Sequence, residues 1–286
     1  YTDRKAEYPG IWLTHHRRCL PEIFEFCNDL AYLGRLKSVR DSDSSICPLP
    51  PVGYIDVPGK EVRRFGSRSN DFEAMIVCEL INQNRATLQS AYNMPVGDIV
   101  AVVTPFRAQA DRIDEYLRQS LGNRHGITVG TVHALQGAEK PVVVFSFTYE
   151  ATPSAREFFW DQSTSMFNVA VSRAQDAFIA VGDLDALNHS GIPGRLLGKH
   201  LRKVGERMSW PDLPNQGNVM ESWQEALKCA FGNEAQYKIN GEDNVALLAL
   251  EDIELGEVIL VTSEIDKPGL KKLGNAMLRA KARGMS

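Results

Sequence analysis

The sequence predicts an α/β protein, a parallel sheet wrapped by helices on both faces. Three observations carry the prediction. Runs of strand length are apolar throughout, as in Asp98-Ile-Val-Ala-Val-Val-Thr104, where a sheet with one wet face would alternate. Segments of helical period lie between these runs. Strand and helix alternate along the chain, the order that parallel crossovers require.

Residues 1–52 read as an arm that carries a helix. Pro21 pre-sets the first turn, and Ile23, Phe24, Phe26, Cys27, Leu30, Ala31 and Leu33 recur at helical spacing. Gly34 is the stop signal. From Arg40 to Pro51 the composition turns to Asp, Ser and Pro, as in a surface loop. A short strand at Tyr54–Val57 ends at Pro58-Gly59. Asn70 and Asp71 are capping residues for a helix through Ala74, Met75, Val77, Cys78, Leu80 and Ile81. Beyond the strand at 98–104, a second helix buries Ala110, Ile113, Tyr116, Leu117 and Leu121. Strands follow at Ile127–Val132 and Pro141–Phe147, then a helix at Phe167–Ala174 and a strand at Ala177–Val181. Turn residues cluster from Pro211 to Asn218, which sets a boundary after 213. Residues 214–286 are expected to form a small α/β appendage. It would hold a helix at Met220–Phe231, strands near Val245–Ala249 and Glu257–Thr262, and a basic helix from Lys267 to Arg283 whose charges read as a solvated face.

Composition narrows the class. The chain has 286 residues, enough for one good core and a second small one. A formal net charge of -4 gives no whole-molecule basic signal, although a local basic groove is compatible with it. No apolar run reaches the roughly 18 residues that span a bilayer. The five cysteines are odd in number and lack C-x-x-C spacing, so reduced thiols in a cytoplasmic or nuclear type of compartment are expected. No metal site is expected, because His15, His16 and Cys19 lack a fourth ligand at suitable spacing.

Four segments at strand ends or helix starts hold the candidate chemistry. In His15-His-Arg-Arg-Cys19 the guanidinium forks suit phosphate, although a solvated basic turn is the simpler reading of these residues alone. Thr104-Pro-Phe-Arg-Ala-Gln109 leaves a buried strand and enters a helix. There Thr104 is either a plain cap or part of an anion site at the helix start. Thr131-Val-His-Ala-Leu-Gln-Gly-Ala-Glu-Lys140 is a polar interruption between two buried strands. In it Gly137 permits close backbone approach, Gln136 offers donor and acceptor, and Glu139 accepts from hydroxyls such as a ribose. Phe167-Asn-Val-Ala-Val-Ser-Arg173-Ala packs one helical face on the sheet and sets Arg173 at its margin, where a snorkelling surface arginine is the plain alternative.

No G-x-x-x-x-G-K-[ST] occurs, no apolar strand ends in an Asp-Glu pair, and no Ser/His/Asp elbow is present. By itself the chain lacks the parts to hydrolyse a nucleotide.

In this order the four segments resemble the later motifs of superfamily 1 helicases, in the branch of the nonsense-decay helicase and related DNA helicases. Leu13-Thr-His-His-Arg17-Arg with Tyr32-Leu-Gly-Arg-Leu36, Val103-Thr-Pro-Phe-Arg-Ala-Gln109, Gly130-Thr-Val-His-Ala-Leu-Gln-Gly-Ala-Glu-Lys140 and Phe167-Asn-Val-Ala-Val-Ser-Arg173-Ala carry the likeness, over residues 11–188. The family pattern has Asp where His133 stands, and often an aromatic where His16 stands. The resemblance implies a RecA-like domain without its own phosphate-binding loop, the second of two that sandwich ATP and magnesium. Arg17 and Arg173 would then be catalytic arginine fingers on a triphosphate held mainly by an N-terminal RecA-like domain of the same polypeptide. His16, Gln136, Gly137 and Glu139 would bind nucleotide. Thr104, Pro105, Gln109, Thr131 and His133 would bind a single nucleic-acid strand, DNA before RNA, through neutral backbone contacts. On this reading the chain is the C-terminal half of an ATP-dependent helicase or translocase, starting just past the first domain and inactive alone. The alternative is a catalytically incomplete RecA-like module that binds nucleic acid or protein without turnover. A Rossmann-type enzyme is set aside, because the G-x-G-x-x-G turn is missing.

Overall fold

The computed structural model describes residues 14–57, 61–64, 66–132, 139–150, 158–162 and 165–209, and the strand backbones at 235–240, 245–250 and 259–261. Two short strands, β1 (His15–His16) and β2 (Lys37–Ser38), pair in parallel around helix α1 (Pro21–Ala31), which opens on its proline. Next come β3 (Val52–Asp56) and the hairpin of β4 (Val62–Arg64) with β5 (Ser67–Ser69). The chain continues through α2 (Asp71–Tyr92), a helical turn α3 (Val96–Ile99), β6 (Val100–Thr104), α4 (Arg107–Leu121), β7 (Thr128–Thr131) and β8 (Lys140–Ser146). After these follow α5 (Ser165–Val171), β9 (Ala174–Gly182), α6 (Leu184–Asn188), α7 (Ile192–Val204) and β10 (Glu206–Arg207).

Six of these strands form one sheet in the order β10-β3-β9-β8-β6-β7, and every neighbouring pair is parallel. The apolar runs are explained by burial on both faces. Val143, Phe145, Phe178 and Ala180 face one core with α1, α5 and α7, while Val142, Val144, Ile179 and Val181 face another with α2 and α4. The predicted parallel α/β class is the observed one.

Local boundaries depart from the sequence pattern where polar residues extend an element. Helix α2 runs eleven residues past Ile81, through Asn82, Gln83 and Asn84, and only Leu88 of that extension is fully buried. It starts where expected, with the Asn70 side chain accepting from the Glu73 amide, and stops at Asn93 in the left-handed region, φ 51°. The helix expected to reach Ala174 ends at Val171 instead. Its last turn tightens as the Arg173 N–H turns to Ala170 O at 3.4 Å, while Lys140 N–H binds Arg173 O at 3.1 Å and draws the chain into the sheet. Arg173 therefore sits on a turn before β9, not on a helix.

Beyond the main sheet, β11 (Ala235–Asn240), β12 (Val245–Leu250) and β13 (Ile259–Val261) form an antiparallel meander. β12 and β13 match the expected strands and β11 was not anticipated. The helices expected at 220–231 and 267–283 lie outside the described residues.

Candidate functional site

The candidate residues divide between two opposite edges of the sheet. β8 and β9 begin side by side, with Lys140 paired to Ala174, so Glu139 and Arg173 meet at the amino edge. β6 and β7 end side by side, with Thr104 paired to Thr131, at the carboxyl edge. His133, Gln136 and Gly137 lie outside the described residues.

At the amino edge the turn after β1 is tied to β9 by the Leu20 N–H, which donates to Gln175 O at 3.0 Å. His16 lies flat on Phe24, ring centroids 4.2 Å apart, and its Nε2 accepts the Cys19 N–H at 3.0 Å. Burial, helped by the neighbouring Arg18 cation, lowers its pKa and keeps the ring neutral. With Phe24 covering one face, the nucleotide contact expected of His16 is restricted to the other. Burial also pushes the Cys19 thiol up to about 12, which removes it as a nucleophile.

The two adjacent arginines differ. Arg17, the one expected to act, is exposed. Arg18 is the one that reaches the cluster: its guanidinium pairs with Glu139 at 2.5 Å and donates to the Ser172 carbonyl at 3.3 Å, beside Arg173. Both partners of this pair are about a third exposed, 37% and 33%, so it stands open to solvent. Arg173 is half-buried, and its buried Nε has no hydrogen-bond partner among the described residues. A buried cationic donor without an acceptor is costly, and native proteins keep few of them.

The carboxyl edge contradicts part of the expected strand interface. Thr104, Pro105 and Gln109 are buried, so their side chains present no surface to a nucleic acid. Thr104 is not the helix cap; Phe106 takes that position, and the Thr104 hydroxyl meets the Thr148 hydroxyl at 3.1 Å. Gln109 accepts from the Asn70 N–H at 2.7 Å and donates to Asn70 O at 3.2 Å and Ser146 Oγ at 3.0 Å. The Ser146 hydroxyl donates in turn to Glu73, whose carboxyl group also takes the Thr148 N–H at 2.8 Å. Burial raises Glu73 to about 8. These amide contacts hold Thr148 in the left-handed region, φ 71°, an unusual conformation for a β-branched residue. Of the expected strand-facing residues in the described part, Thr131 alone is half-exposed. Arg107, at the start of α4, is exposed beside them and pairs with Asp111 at 2.8 Å.

Against known proteins, a family model described as an AAA domain matches residues 2–185. The chain belongs to this family. It is a RecA-like domain of the superfamily 1 helicase type. Among its relatives are an uncharacterised ATP-dependent helicase of Caenorhabditis elegans, 27% identical over 68% of this chain and 13% of the relative. The mouse 5'-3' DNA helicase ZGRF1 is 29% identical over 65% of this chain and 10% of the relative. The mouse probable helicase senataxin is 26% identical over 72% and 7%. The chain thus spans about a tenth of the length of these relatives. Among the described residues, no helix is long and apolar enough to cross a membrane.

For a helicase-type domain the chemistry at the amino edge fits the terminal phosphates of a nucleotide: two guanidiniums, one with a donor that has no partner among the described residues. Among the described residues no group of carboxylates is placed to hold magnesium. Glu139 is paired with Arg18, Asp176 with Arg40, and Asp98 with Lys140. Arg18 escaped the sequence reading because two consecutive arginines offer no signal for which one faces inward. Glu73 escaped it because a glutamate in a first helical turn reads as a capping residue.

Proposed function

We propose that this domain completes the ATP site of a nucleic-acid-dependent motor, a helicase or translocase, without holding the triphosphate itself. ATP and magnesium sit mainly on a separate RecA-like domain of the same polypeptide. On closure, Arg173 and Arg18 meet the γ-phosphate and stabilise the charge that builds in the transition state. Arg18 takes the place first given to Arg17, because it alone of the two stands against Glu139 and the Arg173 turn. Glu139 keeps that guanidinium at the open edge until phosphate competes for it. His16 offers its free ring face to the base, and Gln136 and Gly137 approach the nucleotide from the 133–138 segment. Strand contact falls to Thr131 and the exposed Arg107 at the other edge, with single-stranded DNA favoured over RNA.

The observation that carries this reading is the buried Nε of Arg173, which has no acceptor among the described residues. The test is ATP hydrolysis by the full-length protein and its Arg173→Ala variant, with and without single-stranded DNA or RNA. Nucleic acid should stimulate the parent, and the variant should bind ATP but turn it over about 10³-fold more slowly. A parent without stimulated turnover, or a variant matching it, would leave the inert binding module as the better account.

A further inference from the structure

Arg40 lies two residues past β2, at the start of the segment whose composition marks it as a surface loop. Its guanidinium turns inward, with the side chain 21% exposed. Nη1 donates to the Arg18 carbonyl at 2.9 Å and to the Gln175 carbonyl at 2.8 Å. Nη2 binds the Asp176 carboxylate, and Nε donates to Ser44 Oγ at 3.2 Å. Asp176 is itself buried, and its second oxygen takes the Tyr92 hydroxyl from the end of α2 at 2.6 Å. The carboxylate is therefore a fixed anchor on β9, and Arg40 is a rigid fork set on it.

The two backbones that this fork joins are those of the candidate phosphate-facing arginines. One carbonyl belongs to Arg18. The other belongs to Gln175 on β9, two residues after Arg173 on the turn that leads into that strand. The buried Asp176 carboxylate calls for one cation, and the guanidinium that supplies it also reaches the Gln175 carbonyl, which already accepts the Leu20 N–H at 3.0 Å. We propose that Arg40 is a positioning residue for ATP turnover: it sets the β1–α1 turn against β9 so that Arg18 and Arg173 converge on one phosphate. This rests on the function proposed above. Its physical basis is that a planar guanidinium spans a carboxylate and two carbonyls at once, while a lysine ammonium satisfies the carboxylate and loses the fork.

The test uses the full-length protein and four forms: parent, Arg40→Lys, Arg18→Ala, and Arg40→Lys combined with Arg18→Ala. Arg40→Lys should lower the nucleic-acid-stimulated kcat by about 10- to 100-fold, the scale of an ångström misplacement. KM for ATP and the melting temperature should stay close to the parent. In the Arg18→Ala background the same change should have no further effect on kcat, because the turn no longer carries the group to be placed. An unchanged kcat for Arg40→Lys, or an equal loss in both backgrounds, overturns the proposal while leaving the arginine reading intact. Normal turnover by Arg18→Ala and Arg173→Ala overturns it together with that reading. Should lysine fail to support the fold, Arg40→Met with Asp176→Asn, which removes the buried charge along with its partner, takes its place in the same comparison.

Discussion

At the carboxyl edge of the sheet Gln109 has both ends of its amide paired inside the core, while at the amino edge Arg173 keeps a buried Nε without an acceptor among the described residues. Both residues come from motif-like segments at strand ends, and both pointed to ligand contact. Their difference lies in where the hydrogen bonds go. The carboxyl-edge network of Asn70, Glu73, Gln109, Ser146 and Thr148 closes on itself, except that the Asn70 side-chain amide nitrogen has no partner among the described residues. The amino edge is held from behind by Arg40 and Asp176 and leaves its foremost cations open. A polar residue whose bonds are complete inside the protein serves the architecture; one held in place yet incomplete is available to a ligand.

Removing a member of the closed network should give the largest effect on stability. Gln109→Ala strands the Asn70 N–H in the core, takes a donor from Ser146 Oγ and should cost about 2–4 kcal/mol by chemical denaturation. The folded variant should bind single-stranded nucleic acid like the parent. A variant of normal stability and weakened strand binding would restore Gln109 to the interface and erase the contrast between the edges.

The next effect is pH-dependent. Glu73 is raised by burial from 4.5 to about 8, so between those values the folded chain holds a proton that the unfolded chain has released. Its contribution to stability is present below pH 4.5 and is lost as pH rises toward 8. Unfolding free energy should therefore decline over that range in the parent, and Glu73→Gln should flatten the decline. Parallel pH profiles for the two would remove Glu73 from the account.

The smallest effect belongs to the exposed rim. Arg107→Ala should change stability by no more than about 0.5 kcal/mol. If Arg107 contacts one phosphate, the slope of log affinity against log salt should fall by about 0.7 for a single strand. An unchanged slope would move the strand path elsewhere.

Much of this was legible in the sequence, because burial on both faces of a parallel sheet writes itself as unbroken apolar runs. The strand order, and with it the approach of Glu139 to the Arg173 turn, comes from the structure alone. The inward or outward sense of single polar residues did not follow. Arg17 and Arg18 are identical neighbours, and only the Ser172 carbonyl and the Glu139 carboxylate distinguish them. Arg40 sits in a Ser- and Asp-rich stretch that reads as solvent-exposed, because its partners are carbonyls 22 and 135 residues away. Gln109 looked available for the converse reason, since its acceptors and donors come from α2 and β8 and not from its own helix.

The most direct test of the two-edge account is a crossed measurement on Arg173→Ala and Gln109→Ala in the full-length protein, recording nucleic-acid-stimulated kcat and melting temperature for each. The account predicts that Arg173→Ala loses turnover and keeps the parent's melting temperature, while Gln109→Ala melts earlier and, when folded, turns over ATP at close to the parent rate. If instead Arg173→Ala melts early with its folded fraction fully active, or Gln109→Ala keeps its stability and loses turnover, the division of labour between the edges is wrong.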